Sequence, residues 1–213
     1  MSLITELKIT GGRGSKITIV FDDLSTLEIS KEALEESDIS TGLAVSPQQI
    51  QELKQRDHYF SCLNAALRFM THRPRSKREV AIRLRQRGFS GKTIETVLKK
   101  LEEKKLLDDA EFAKVWTDNR KAFSPRSKFA IRHELMQKGI SSDMIDEAIA
   151  ELNDDENAYQ AGLKKIHLLK SVPHEEFIKK LARLLQTKGF SFSVTKNAVE
   201  RLWQKSQNVE KDK

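Results

Sequence analysis

The sequence predicts a mainly α-helical protein, built as tandem three-helix-bundle repeats in an elongated array behind a small N-terminal antiparallel β-sheet. Three observations carry this. Only 9 Gly and 4 Pro occur in 213 residues, too few chain breakers for a loop-rich sandwich or barrel. Apolar and polar residues alternate over 3–29, the period of a half-buried sheet. From residue 30 onward helical spacing takes over, and a glycine-centred pattern recurs three times, at spacings of 51 and 50 residues.

In the sheet, Leu7 and Ile9, then Ile17, Ile19 and Phe21, then Leu27 and Ile29 mark three strands joined by two hairpins. Gly11-Gly12-Arg13-Gly14 makes the first connection and Asp22-Asp23-Leu24-Ser25 the second. The glycine loop resembles a phosphate cradle, but it lacks a following helix and a Lys-Ser/Thr pair, so it reads as a hairpin loop. Ser30 is placed to cap a short helix over 31–37. Ser46-Pro47-Gln48-Gln49 starts the next helix with an N-cap, a proline at the first helical position and a capping box. Ile50, Leu53, Leu63, Ala66, Leu67 and Met70 keep helical spacing until Pro74 stops it.

The repeat is set on Gly88, Gly139 and Gly189. Eight residues before each glycine stand Val80, Ile131 and Leu181, and four before stand Leu84, Leu135 and Leu185. Two residues after it comes Ser in every copy, and thirteen after it Leu101, Leu152 and Leu202. A helix ending in Lys or Arg suits the negative end of its dipole, glycine supplies the left-handed residue beyond it, and serine caps the next helix. A third helix opens with Asp108-Asp109 in the first copy and near Asp154-Asp155 in the second, acids that suit a helix start. This phasing divides the chain into 1–45 (sheet and short helix), 46–74 (a long helix leading into the array), repeats over 75–122 and 123–172, an incomplete repeat over 173–206, and a polar, fraying tail over 207–213.

Composition narrows the function. A single cysteine, Cys62, forbids an internal disulfide or a cysteine-rich metal site. No run approaches the length of a spanning helix, and the first ten residues lack the basic and apolar regions of a secretory signal, so a cytoplasmic protein is expected. The net charge of +7 comes in blocks. Residues 71–105 carry 12 basic and 4 acidic side chains, 155–213 carry 12 and 7, and acidic stretches lie before and between them. Such blocks suit an anionic partner, nucleic acid first.

Arg75-Ser76-Lys77-Arg78-Glu79 followed by Leu84, Arg87, Gly88 and Phe89, then Leu107-Asp108-Asp109 with Phe112 and Ala113, then Ile131, Glu134, Leu135, Lys138, Gly139 and Ile140, resembles the RecX family of bacterial recombinase regulators over 60–203. The resemblance implies a non-enzymatic, three-helix-repeat protein that binds the RecA filament on single-stranded DNA and modulates it, usually as an inhibitor of ATP hydrolysis and strand exchange, and so acts in homologous recombination, DNA repair and the SOS response. No cofactor and no membrane partner are expected, and the chain is expected to be a monomer that binds bare DNA at most weakly. Two departures stand out. The link Ala122-Phe123-Ser124-Pro125-Arg126 replaces the glycine-rich basic link of many members, and the N-terminal sheet lies outside the shared core.

The contact residues expected from the charge blocks are Arg73, Arg75, Lys77 and Arg78, then Arg83, Arg85 and Arg87 along the same helix, and Lys92, Lys99 and Lys100 on the next. Lys179, Lys180, Arg183 and Lys188 form a second surface, with Lys164, Lys165 and Lys170 beside it. The plain alternative is a solvated helical face, against which stands the density of one sign of charge. Phosphates along a filament would release counterions on such stripes, but the first stripe lacks aromatic stacking residues. Cys62 reads as a core thiol, the five histidines never pair at ligand spacing, and no nucleophile–base pair or Walker motif is visible. A direct DNA-binding protein with helix-turn-helix-like units remains the alternative, opposed by Asp143, Asp146, Glu147 and Glu151 on the second copy's second helix.

Overall fold

The N-terminal alternation folds as β1 (Ser2–Thr10), β2 (Lys16–Phe21) and β3 (Thr26–Ser30), to which β4 (Ala44–Val45) adds a fourth strand. The sheet is antiparallel in the order β3-β2-β1-β4. β4 pairs only with Ser2 and Leu3, and at two residues it is too short to show a period in the sequence. A bulge between Ile4 and Glu6 shifts the register of β1 against β2. It turns Ile4 into the core, at 1% exposure, while Ile9 emerges at 77%. A one-residue slip has that effect because strand side chains alternate faces. The computed structural model describes residues 1–10, 16–169 and 172–211, so Gly11-Gly12-Arg13-Gly14 and Lys170 lie outside the described residues.

The chain divides into two units, Met1–Leu107 and Asp108–Lys213. In the first, β3 runs into α1 (Lys31–Glu35). Ser30 holds the N-cap position of α1 as expected, but its hydroxyl makes no cap bond; its backbone N–H donates to the Asp57 carboxylate. α2 (Pro47–Met70) begins with the expected capping box, Ser46 with Gln49. It serves two cores. Leu53 closes the apolar face of the sheet with Ile4, Ile19 and Ile29, while Cys62, Ala65 and Ala66 pack against α3 (Lys77–Gln86) and α4 (Gly91–Glu103).

The second unit holds α5 (Asp109–Phe123), α6 (Lys128–Gln137) and α7 (Ser142–Ile149), then α8 (Asp154–Ile166), α9 (His174–Thr187) and α10 (Phe192–Lys211). Phe112 and Ala113 of α5 share a core with Ile131, Leu135, Ile145 and Ile149. Ala158 and Ala161 of α8 do the same with Leu181, Leu185, Val199 and Leu202. Three complete bundles result, and each contains the helix before its glycine-turn pair. The expected grouping, with 108–123 closing the first repeat and an incomplete third, shifts by one helix. A periodic pattern carries no origin, so only burial decides which neighbour a helix joins. The tail expected from 207 is helical to Lys211.

The repeat register is shared at atomic detail. Gly88, Gly139 and Gly189 all have φ between 82° and 87°, and the apolar residues eight and four before each glycine are fully buried. Six residues after the glycine, Ile94 and Ile145 fill the first two bundles, whereas the third has Thr195, 2% exposed. Its hydroxyl has no hydrogen-bond partner. A buried, unmade hydrogen bond costs on the order of 1 kcal/mol, so Thr195→Val, which keeps the shape, is expected to raise stability by about that amount. A urea midpoint that falls on this substitution would contradict the assignment.

Candidate functional site

Polar side chains in the first bundle divide between structural ties and open surface. Arg73 donates to both oxygens of Glu79, at 3.0 and 3.3 Å, and the same carboxylate completes the capping box with Ser76. Arg75 lies 4.0 Å from the Phe69 ring centroid and donates to the Phe69 carbonyl. Burial, then the charge of Arg73, pushes its pKa below the usual guanidinium value. Lys77 reaches both oxygens of Glu102 at 2.8 and 2.9 Å, tying α3 to α4. These three cations brace the bundle. Arg83 sits 5.9 Å from the Phe69 ring, and it is exposed, as are Arg78, Arg85, Arg87, Lys92, Lys99 and Lys100. Arg78 and Arg85, two turns apart, occupy the side of α3 away from Val80.

The second predicted surface does not hold together. Lys179, Lys180 and Arg183 are exposed on α9, with Lys180 paired to Glu176 at 2.7 Å. Lys188 lies elsewhere. Two turns beyond Leu181 it falls on the buried stripe of α9, where it caps the helix and faces the link between α5 and α6. Its Nζ approaches the Ser124 hydroxyl at 3.5 Å, and its carbonyl accepts the Ser127 N–H at 3.2 Å. Lys164 reaches the same link, donating to the carbonyls of Ala122 and Phe123 at 2.6 and 3.1 Å. Burial lowers the Lys188 pKa, and every charged group acting on it is a cation: Arg126, Lys164, Lys165 and Arg120.

Glu134 is the carboxylate that meets this cluster. It binds Arg120 at 2.8 Å and Arg126 at 3.2 Å, and accepts the indole N–H of Trp116 at 2.8 Å. The seam between the second and third bundles therefore gathers five cations, two of which share the Glu134 carboxylate. Charge density along the chain missed it because its members are spread from position 120 to 188. Arg120 and Arg126 also sit within a stretch whose net charge is negative.

Other residues weighed from sequence take structural places. Cys62 is fully buried, and burial pushes its thiol up to about 11, so it stays protonated at neutral pH. Trp116 stacks on Phe112 at 5.8 Å, and Trp203 meets Phe177 at 5.1 Å and His174 at 4.4 Å. Asp108 caps α5, accepting the N–H groups of Ala110 and Glu111. An open groove between α5 and α7 mixes Asp118, Glu147 and Glu151 with Lys114 and Lys121. Among the described residues, no cluster of His, Cys, Asp or Glu could hold a metal ion, and no helix is long and apolar enough to cross a membrane.

Three glycine-turn bundles in one shared register define a tandem helical-repeat protein. Family models place it further. Those described as the first, second and third three-helix domains of RecX match residues 62–101, 108–149 and 153–199, one bundle each. Regulatory protein RecX of Prosthecochloris aestuarii is 34% identical over 140 residues, covering 66% of this chain and 92% of that protein. Regulatory protein RecX of Clostridium perfringens is 26% identical over 207 residues, covering 95% and 97%. The chain belongs to the RecX family of regulatory proteins. Its fold matches a crystal structure of regulatory protein RecX with a TM-score of 0.71, at 22% identity, over 94% of this chain and all of that one. RecX from Lactobacillus salivarius matches with a TM-score of 0.58, at 23% identity, over 68% of this chain and 97% of that one.

Proposed function

We propose that the chain is a non-enzymatic regulator of homologous recombination and DNA repair, which binds a RecA-type recombinase filament on single-stranded DNA and inhibits its ATP hydrolysis and strand exchange. The observation that carries this reading is family membership spread over all three bundles. The exposed cations support it: Arg78, Arg85, Lys92, Lys99 and Lys100 on the first bundle, and Lys179, Lys180 and Arg183 on the third. A phosphate-bearing polymer long enough to meet both units gains from each through counterion release. The protein acts in this role as a cytoplasmic monomer. Direct reading of duplex DNA by helix-turn-helix-like units is the weaker reading. In the second bundle α7 would bring Asp143, Asp146 and Glu147 toward phosphates, and Asp146 is already paired with Arg132.

The test adds the protein to preformed recombinase filaments and follows ATP turnover, with binding to bare duplex measured in parallel. Turnover is expected to fall at concentrations where duplex is unbound. Charge reversal at Lys179, Lys180 and Arg183 together is expected to weaken that inhibition about tenfold or more. Tight duplex binding with a steep salt dependence and unchanged ATP turnover would overturn the filament reading.

A further inference from the structure

Of the chain's ten phenylalanines, seven are buried or half-buried. The other three, Phe123, Phe129 and Phe192, are 77%, 74% and 77% exposed; two flank the link between α5 and α6 and the third follows the Gly189 turn, which packs on the start of α6. Phe123 ends α5, and its own carbonyl holds Lys164. Phe129 stands in the first turn of α6, next to Ala130, which packs against Gly189 so closely that a Cβ there would lie 2.8 Å away. Phe192 opens α10, three residues beyond Gly189. Around these turns stand Arg120 at the end of α5, Arg126 in the link, Lys164 and Lys165 on α8, and Lys188, with Glu134 bound to the two arginines.

We infer that this seam is a binding site for single-stranded DNA, with the cations following the phosphates and the exposed phenylalanines stacking on unpaired bases. Like charges gathered around a half-buried lysine are unfavourable in the free protein and become favourable when a polyanion enters. That accounts for cations alone, which an acidic peptide would also satisfy. The phenylalanines decide between ligands. Their flat apolar faces match unpaired bases of any sequence, whereas duplex bases are stacked on one another and the carboxylates of an acidic peptide bring no ring. Exposed aromatic planes are what the first bundle's stripe lacks, since Phe69, beneath Arg75 and Arg83, is half-buried. The inference deepens the filament reading by naming the ligand of one surface, and rests on that reading for taking DNA as the strand.

The test needs no recombinase. Fluorescence anisotropy of a short labelled oligo(dT) is followed against salt concentration, with duplex DNA and poly-glutamate as competitors. Lys165→Ala together with Lys164→Ala is expected to weaken binding about tenfold and to reduce the salt slope by about 0.7 for each lysine removed. Phe123→Ala, Phe129→Ala and Phe192→Ala combined are expected to weaken it comparably with the salt slope unchanged, since stacking releases no counterions. All three phenylalanines are exposed, so thermal melting should be unaltered, and Lys165→Ala alone serves where Lys164→Ala perturbs the link. Oligo(dT) binding unaffected by both sets, or poly-glutamate competing as well as oligo(dT), would overturn the site. If filaments are inhibited while oligo(dT) stays unbound, the site falls and the filament reading stands; if oligo(dT) binds at the seam and filaments are unaffected, the reverse holds.

Discussion

Gly189→Ala is expected to destabilise the protein by about 2–4 kcal/mol, against about 1 kcal/mol for Gly88→Ala, although the two glycines hold the same place in their repeats. Both have φ near +86°, and an L-residue in that region costs on the order of 1 kcal/mol. Beyond Gly88 a Cβ would meet nothing within 4 Å. At Gly189 it would stand 2.7 Å from the Ser127 hydroxyl and 2.8 Å from the Ala130 Cβ. Ser127 cannot step aside cheaply, because it is 1% exposed and its hydroxyl caps α6 through the Ala130 N–H. Losing such a cap costs about 1 kcal/mol, and moving the backbone would break the bond from the Ser127 N–H to the Lys188 carbonyl. Urea unfolding followed by far-UV circular dichroism measures both variants. Both tryptophans, Trp116 and Trp203, lie in the second unit, so their fluorescence reports the Gly189 variant directly. Equal losses from the two substitutions would mean that α6 does not hold the turn in solution.

That pair of glycines also shows what the sequence could and could not convey. A glycine after an amphipathic helix, followed by an inward Phe or Ile and a capping Ser, is a local device. Its three copies could be aligned, and the buried positions before and after them followed. Which helix joins which turn is not local. Cys62, Ala65 and Ala66 complete the first bundle from the far half of a helix whose near half covers a sheet, and no period distinguishes the halves. The candidate site was harder still. The stretch 71–105 drew notice through charge density, yet Arg73, Arg75 and Lys77 within it are spent on Glu79, Phe69 and Glu102. The seam cations come from three separate segments, and only the docking of Gly189 onto α6 brings them together. Proximity in sequence groups Lys188 with Lys179 and Lys180, whereas helical spacing from Leu181 puts it on the other side of α9.

Glu134→Gln is expected to cost about 2–3 kcal/mol and to make the protein's stability depend strongly on added anion. The Glu134 side chain is 17% exposed, with Arg120 and Arg126 at 28% and 36%. Removing one partner from a largely desolvated ion pair leaves charge without compensation and costs up to about 3–5 kcal/mol when burial is complete; the partial exposure of the arginines lowers that figure. Glutamine keeps an oxygen for the Trp116 indole N–H, so what is lost is the charge rather than the packing. The seam cations then lose the carboxylate that Arg120 and Arg126 share. An anion that binds there stabilises the folded state in proportion to its occupancy, and the variant has more to gain from it than the parent chain. Sulfate also stabilises proteins generally by exclusion from their surfaces, a contribution common to both chains. The informative quantity is therefore the difference between them: at matched ionic strength, replacing chloride by sulfate should raise the melting temperature of the Glu134→Gln variant more than that of the parent. Equal increments would show that the glutamate does not balance the seam, and the cations there would then be solvated separately rather than acting as one site.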